Sequence, residues 1–279
     1  MDKEKLKKAF VDLEGLNIND ELVYERAFMI FNSIGHLPVF ISHIPAGKFI
    51  FRTRTHETPD LFKTIPDISI TPRNYVREFA RCNRPYQSIF YCSENRPTSF
   101  MELLEYWAAT KKFGDKLWIT IGRWQVLNDL NLIMVTSPDK SKRVSEFDKF
   151  HGDGYDLHLK DRSDEEKEFS AIFFEYMFEK FRKPAKNDLK TYVITTAYSN
   201  LALLQAKDLA DGITYPSVPF GGQGTNMAVK ESYLPNLKLT HAMWTEFEIT
   251  PTEEGKHNFT ESKSILTEKI NYNSQTIEW

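Results

Sequence analysis

Apolar residues recur at helical spacing from the start of the chain. Leu6, Ala9, Phe10 and Leu13 form one stripe that Gly15 ends, and Leu22, Ala27, Phe28 and Phe31 form a second before Gly35. This spacing predicts two short helices between residue 2 and about 33. The period then shortens to two. HLPVF and GKFIFRTRT, joined through a turn at Gly47, are rich in β-branched and aromatic residues and read as strands. Pro59, Pro66 and Pro72 break up the stretch from Thr55 to Thr71, which reads as an irregular connection able to lie over a pocket.

SIFYCS (88–93) reads as a short buried strand, after which PTSFMELLEYWAATKKFG changes period from two to 3.6. Ser99 is placed to cap that helix, Leu103, Leu104, Trp107 and Ala108 form its apolar face, and Lys111, Lys112 and Gly114 mark its end. KLWITIGR and LNLIMVT predict two further strands, and HGDGYDLHLKD, with its two glycines, reads as a polar linker. SDEEKEFSAIFFEYMFEKFRKP is the clearest helix. Ser163 and Glu166 make a capping box, and Phe169, Ile172, Phe173, Tyr176 and Met177 make its apolar stripe. TYVITTAYSNLALLQAKD opens with β-branched residues, but Tyr192, Thr196, Asn200 and Leu204 recur at four and favour a helix. DGITYPSV, ended by Pro216, and TNMAVK, after a glycine-rich turn, read as strands, and the tail beyond TEFEIT shows few apolar anchors. Short strands mixed with good helices, without regular βαβ alternation, predict an α+β fold.

Composition narrows the partners. The chain has 279 residues, 36 Lys+Arg against 39 Asp+Glu, a net charge of −3 and 41% hydrophobic residues. That is enough to bury a sizeable core, and it gives no net positive field for a nucleic-acid partner. No apolar run reaches membrane-spanning length. The charged first fifteen residues do not resemble an export signal, and two isolated cysteines, Cys82 and Cys92, fit a reducing compartment, so the expected location is the cytoplasm.

Standard chemistries are missing from the motifs: there is no HExxH, no phosphate-binding GxxxxGKS/T, no GxSxG and no zinc-ligand spacing among the histidines, so no metal is expected. GGQGTN lacks the register of a dinucleotide fingerprint and precedes a strand-like run instead of a helix. What remains is a dispersed polar set within apolar segments: Arg52 in FIFRTRT, Arg81 in FARCNRP, Tyr91 in SIFYCSE, Glu102 after Ser99, and Ser217 in ITYPSV. Charges there must be paired or face a cleft. Two readings stay open. Arg52 and Glu102 either form a structural ion pair or line an anion-binding cleft, and Glu102 is either chemical or, three residues after Ser99, a helix cap.

ARCNRPYQSIFYCSENRPTSFMEL and DGITYPSVPFGGQGTNMAVK, with FIFRTR before them, resemble the RES-domain family, named for its Arg, Glu and Ser residues. The resemblance covers roughly residues 46–232. It departs at Ala80, where members often have glycine, and in NRPYQS, which lacks the glycine usual soon after the asparagine. It implies an ADP-ribosyltransferase-like mixed-sheet core with flanking helices. Around that core it implies an N-terminal helical extension (1–45), an insertion near 139–187, and a C-terminal extension (233–279) packed on the same domain. The implied activity is cleavage of the nicotinamide–ribose bond of NAD+ by hydrolysis or phosphorolysis, as the toxin of a toxin–antitoxin pair. NAD+ would be the substrate, no cofactor would be needed, and inorganic phosphate would be one acceptor. The implied partner is a cognate antitoxin protein, and such assemblies are commonly multimeric. By resemblance Arg52 and Arg81 clamp the diphosphate or ribose, Tyr91 stacks on or orients the ligand, and Glu102 stabilises the transition state or activates water. Asn83 contributes to binding, and Ser217 and Asn226 position the nicotinamide ribose or Glu102. Two other readings keep the same residues: a noncatalytic nucleotide-binding or interaction domain, and an ADP-ribosyltransferase acting on a protein or small molecule.

Overall fold

Helices α1 (Lys3–Glu14) and α2 (Val23–Ile34) form where the two stripes predict them, with Asp2 capping α1 through Lys5 N at 3.0 Å. This computed structural model describes residues 2–107, 111–183, 188–218, 223–253 and 257–279. Strand β1 (Ile41–Ile44) starts after HLPVF, whose Pro38 has no N–H to donate, and Gly47 at φ +88° turns the chain into β2 (Phe49–His56). The proline-broken connection holds one short turn of helix, α3 (Ile65–Ile68). Next come β3 (Ile89–Ser93), α4 (Arg96–Trp107), β4 (Lys116–Val126) and β5 (Leu130–Met134). Three helices follow, α5 (Glu146–Leu159), α6 (Asp164–Arg182) and α7 (Leu189–Gln205). The chain ends with β6 (Gly212–Pro216), β7 (Thr225–Lys230), the long pair β8 (Leu237–Pro251) and β9 (His257–Thr267), and a small hairpin, β10 (Lys269–Asn271) with β11 (Thr276–Glu278).

Among the described residues nine strands make one mixed sheet in the order β1-β5-β6-β7-β3-β2-β4-β8-β9, in which only β5 and β6 run parallel. The α+β class follows from this arrangement. Strand alternation sends Ile89, Ile133, Ile213 and Ala228 to one face, where α1, α2, α6 and α7 cover them with Phe31, Phe173, Phe181 and Tyr198. Phe90, Leu132, Met227 and Val229 point to the other face, covered by α3 and the C-terminal hairpin. No helix among the described residues is long and apolar enough to cross a membrane.

Two expectations need correction. HGDGYDLHLKD is not a linker but most of α5. Ser145 and Asp148 form its capping box, and Phe147, His151, Tyr155 and Leu159, four apart, are its buried row. The glycine that suggests a loop is demanded by packing, because a Cβ on Gly152 would lie 2.3 Å from Arg143 Cδ. The polar tail is not weakly anchored: β8 pairs with β4 from Leu237 to Glu248, and Ile277 and Trp279 pack into the second core. Segment 139–187, expected as an insertion, contributes α5 and α6, and α6 supplies Phe169, Phe173, Phe174, Met177 and Phe181 to the main core.

Two buried histidines make this fold acid-sensitive. The His56 ring stacks on Phe62 at 3.8 Å with Nε2 against Thr120 Oγ1 at 2.7 Å, and His151 lies beside Phe147 in α5. Burial pulls each down from 6.5 to about 4. The unfolded chain therefore takes up these protons first, so their contribution is complete above pH 6.5 and is lost as pH falls through about 4. Urea midpoints should drop across that window, and His151→Asn should flatten the drop; parallel profiles for the two proteins would count against this assignment.

Candidate active site

The sheet is split at its centre. β2 pairs with β4 along all eight of its residues but meets β3 at the single pair Phe51–Ser93. Beyond that pair the two strands part, and α4 packs beside the opening. Arg52 stands in the gap. Its Nη1 donates to Tyr91 O at 2.7 Å, Nε to Ser69 O at 3.0 Å, and Nη2 reaches Thr71 Oγ1 at 3.5 Å. The guanidinium thus takes the place of the missing strand-to-strand bonds and ties in the segment after α3. Among the described residues its hydrogen-bond partners are all neutral, and burial and then neighbouring Arg54 pull it down to about 10.

Arg81 is fixed in a similar way by another element. Its Nη1 donates to Lys180 O and Phe181 O at 3.3 and 2.8 Å, and its Nη2 to Lys183 O at 3.2 Å. These are the last carbonyls of α6, where a cation is favoured by the negative end of the helix. The turn that presents Arg81 closes without glycine at Ala80: Ala80 N donates to Asn83 O at 3.0 Å, and Thr196 Oγ1 of α7 donates to Ala80 O at 2.7 Å. The left-handed residue of the segment is instead Tyr86, at φ +62°. Its ring is held by Arg77, whose Nη1 donates to the phenol oxygen at 2.8 Å, offsetting a backbone cost of about 1–2 kcal/mol.

Tyr91 crosses from β3 to this turn. Its hydroxyl donates to Asn83 Oδ1 and accepts from Cys82 N, both at 2.9 Å, and burial holds the phenol well above its ordinary range. Asn83 in turn donates to Glu78 O and Arg84 O, so it shapes the turn and reaches the cavity only through Tyr91. Burial pushes the thiols of Cys82 and Cys92 up to about 12, which makes neither a nucleophile at neutral pH.

The helix-cap reading of Glu102 is overturned. α4 starts at Arg96, with Asn95 Oδ1 accepting from Thr98 N at 2.8 Å, so Ser99 lies inside the helix. Ser99 Oγ meets Thr53 Oγ1 of β2 at 2.7 Å instead. Glu102 is one turn further on and points away from the helix end: its Oε1 accepts from Ser217 Oγ at 2.5 Å and from Asn226 Nδ2 at 2.7 Å. Asn226 Oδ1 accepts from Ser93 Oγ at 2.8 Å. Four elements, β3, α4, β7 and the end of β6, therefore converge on one carboxylate. The side chains of Leu104 and Trp107 and the whole of Ala108, expected on the apolar face of α4, lie outside what is described, as does the turn at 219–222.

A cavity of about 340 Å3 takes in Arg52, Arg81, Tyr91, Glu102 and Asn226. Of the expected set only Ser217 and Asn83 stand behind its wall, each bonded to a residue that lines it. Sequence reasoning passed over Arg54, Ser93, Ser99, Tyr192 and Tyr215, which also line it. Arg54 could have been found, being two residues from Arg52 and so on the same side of β2. Tyr192 and Tyr215, each with its ring centroid 5.9 Å from Arg81 Cζ, meet there only through folding of α7 and β6. Among the described residues no three His, Cys, Asp or Glu side chains gather as a metal site. With three arginines and one carboxylate among its described lining residues, the cavity suits a ligand that is anionic at one end and carries or develops positive charge at the other. No protein-family model, curated protein or solved structure matches this chain.

Proposed function

We propose that the cavity binds NAD+ as its substrate and breaks the nicotinamide–ribose bond, with water or inorganic phosphate as acceptor and no cofactor. The observation that supports this reading is the Glu102 carboxylate, held by Ser217 and Asn226 in the same cavity as Arg52, Arg54 and Arg81. As the C1′–N bond breaks, its electron pair goes to the nicotinamide nitrogen and positive charge develops on the ribose. A fixed carboxylate at that position stabilises this charge without reorganisation, and it can take the proton from an attacking water. Nicotinamide leaves neutral, so no second carboxylate is needed as general acid. Tyr91, Tyr192 and Tyr215 give aromatic walls for the rings, and buried Arg52 and Arg81 act as fixed positive charges. An ADP-ribosyltransferase-like core, a role as the toxin of a toxin–antitoxin pair in the cytoplasm, and a cognate inhibitory protein covering the cavity belong to the same reading.

Incubation of the purified, folded chain with NAD+ should release nicotinamide, with ADP-ribose as co-product in water and its 1″-phosphate where phosphate is the acceptor. Mass analysis distinguishes the two. Folded protein that releases no nicotinamide under either condition would overturn the reading.

A further inference from the structure

Three arginines line the cavity, and they differ in what holds them. Arg52 donates through three nitrogens to Ser69 O, Tyr91 O and Thr71 Oγ1, and Arg81 donates three hydrogen bonds to the end of α6. Both are already engaged as struts. Arg54 has no hydrogen bond or ion pair among the described residues; it lies 5.9 Å from the Phe62 ring centroid and is partly exposed. Among the described residues the carboxylate acting on it is Asp67, which is turned to the start of α3, where its Oδ2 accepts from Lys63 N and Thr64 N at 3.2 and 2.8 Å. A guanidinium that has lost part of its water without gaining an acceptor is poised for an anion, and its planar fork fits two oxygens at once. Its strand adds to this: past Phe51 the edge of β2 is not paired with β3, and Thr53 and Thr55 line the cavity on either side of Arg54.

We propose that Arg54, not Arg52 or Arg81, makes the direct bidentate contact to the diphosphate of the ligand, which makes it the residue that selects a nucleoside diphosphate over the bare nucleoside. The inference deepens the NAD+ reading and rests on it for the identity of the ligand. Arg52 and Arg81 contribute long-range attraction while their hydrogen bonds keep the two halves of the sheet and α6 in place.

Calorimetric titration with ADP and with adenosine tests this without any turnover. The native chain should bind ADP more tightly than adenosine. Arg54→Gln should weaken ADP by about 10- to 100-fold, leave adenosine within about twofold, and lessen the salt dependence of ADP binding. Arg54→Lys should recover only part of the loss, because an ammonium cannot make the paired contact. Circular dichroism shows whether each variant is folded, and Arg54→Met serves if the glutamine variant is not. ADP affinity unchanged in the folded variants, or no preference for ADP over adenosine in the native chain, would overturn the proposal. Arg54-dependent ADP binding in a chain that releases no nicotinamide would sink the cleavage reading and leave this inference standing.

Discussion

Glu102→Gln should lower NAD+ turnover by about 100-fold or more while leaving the fold and the binding of ADP nearly unchanged. The amide keeps an oxygen that can accept from Ser217 Oγ and Asn226 Nδ2, the two bonds that hold the native carboxylate. It removes the negative charge. A loss of 100-fold corresponds to about 2.7 kcal/mol of transition-state stabilisation, the size found when one electrostatic group is removed from a preorganised site. Because α4 begins six residues earlier, at Arg96, no helix-cap effect is mixed into the result. Nicotinamide release under saturating NAD+ measures the effect, with thermal melting as the control for folding. Near-native turnover in a folded Glu102→Gln protein would leave the carboxylate a structural anchor for β6 and β7 and remove it from the chemistry.

Much of the site could be read before folding because its residues interrupt strongly apolar runs. An arginine two residues from Ile50, or a glutamate between Met101 and Leu103, has to be explained by a partner or a cleft. What could not be read is which partner. The Arg81 ligands are carbonyls at 180–183, about a hundred residues away and on a helix whose own pattern gives no hint of an incoming cation. A pairing of Arg52 with Glu102 is chemically natural, yet Arg52 bonds Tyr91 O, exposed by the split between β2 and β3, and Ser69 O at the end of α3. Strand pairing decides that outcome, and pairing registers are long-range.

The elements follow the same division. α1, α2 and α6 are carried by local stripes and caps, and they appear with nearly the expected limits. α5 was hidden because glycine is a poor helix former, and the need for it at Gly152 comes from the Arg143 side chain that crosses the helix there. Ser99 misled in the other direction. A serine three residues before a glutamate fits a capping box, but Asn95 fills that role four residues earlier, and the serine hydroxyl bonds Thr53 instead. The C-terminal strands were missed for lack of amphipathic contrast: β9 is an edge strand, and its mixture of Thr, Glu, Ser and Lys reads as loop until β8 is in place to pair with it.

Asn226→Asp should be the most damaging near-isosteric change at the site, and its signature should be a dependence on pH. Asn226 is 3% exposed, and its two ends are not equivalent: the amide nitrogen faces Glu102 Oε1 at 2.7 Å and the oxygen accepts from Ser93 at 2.8 Å. The carboxylate partner fixes that orientation, since only the nitrogen can donate to it. Aspartate would place a second carboxylate against the first, and two such groups cannot both be ionised at that separation with so little water. The folded variant must hold a proton that the unfolded chain releases near pH 4, so the fold binds more protons and its stability falls as pH rises. Relative to the native protein, the melting temperature of Asn226→Asp should therefore lie well below at pH 8 and recover much of the gap at pH 5. Comparing the two proteins at each pH cancels the histidine effect that both share. Turnover at pH 8 should fall by about 100-fold or more, because a Glu102 that shares a proton cannot stabilise positive charge on the ribose. Asn226→Ala loses the same two bonds without adding a charge, so its stability gap should not change with pH. If the aspartate variant shows the flat, pH-independent gap expected of alanine, Asn226 does not press on an ionised Glu102, and the charge arrangement assigned to this cavity is wrong.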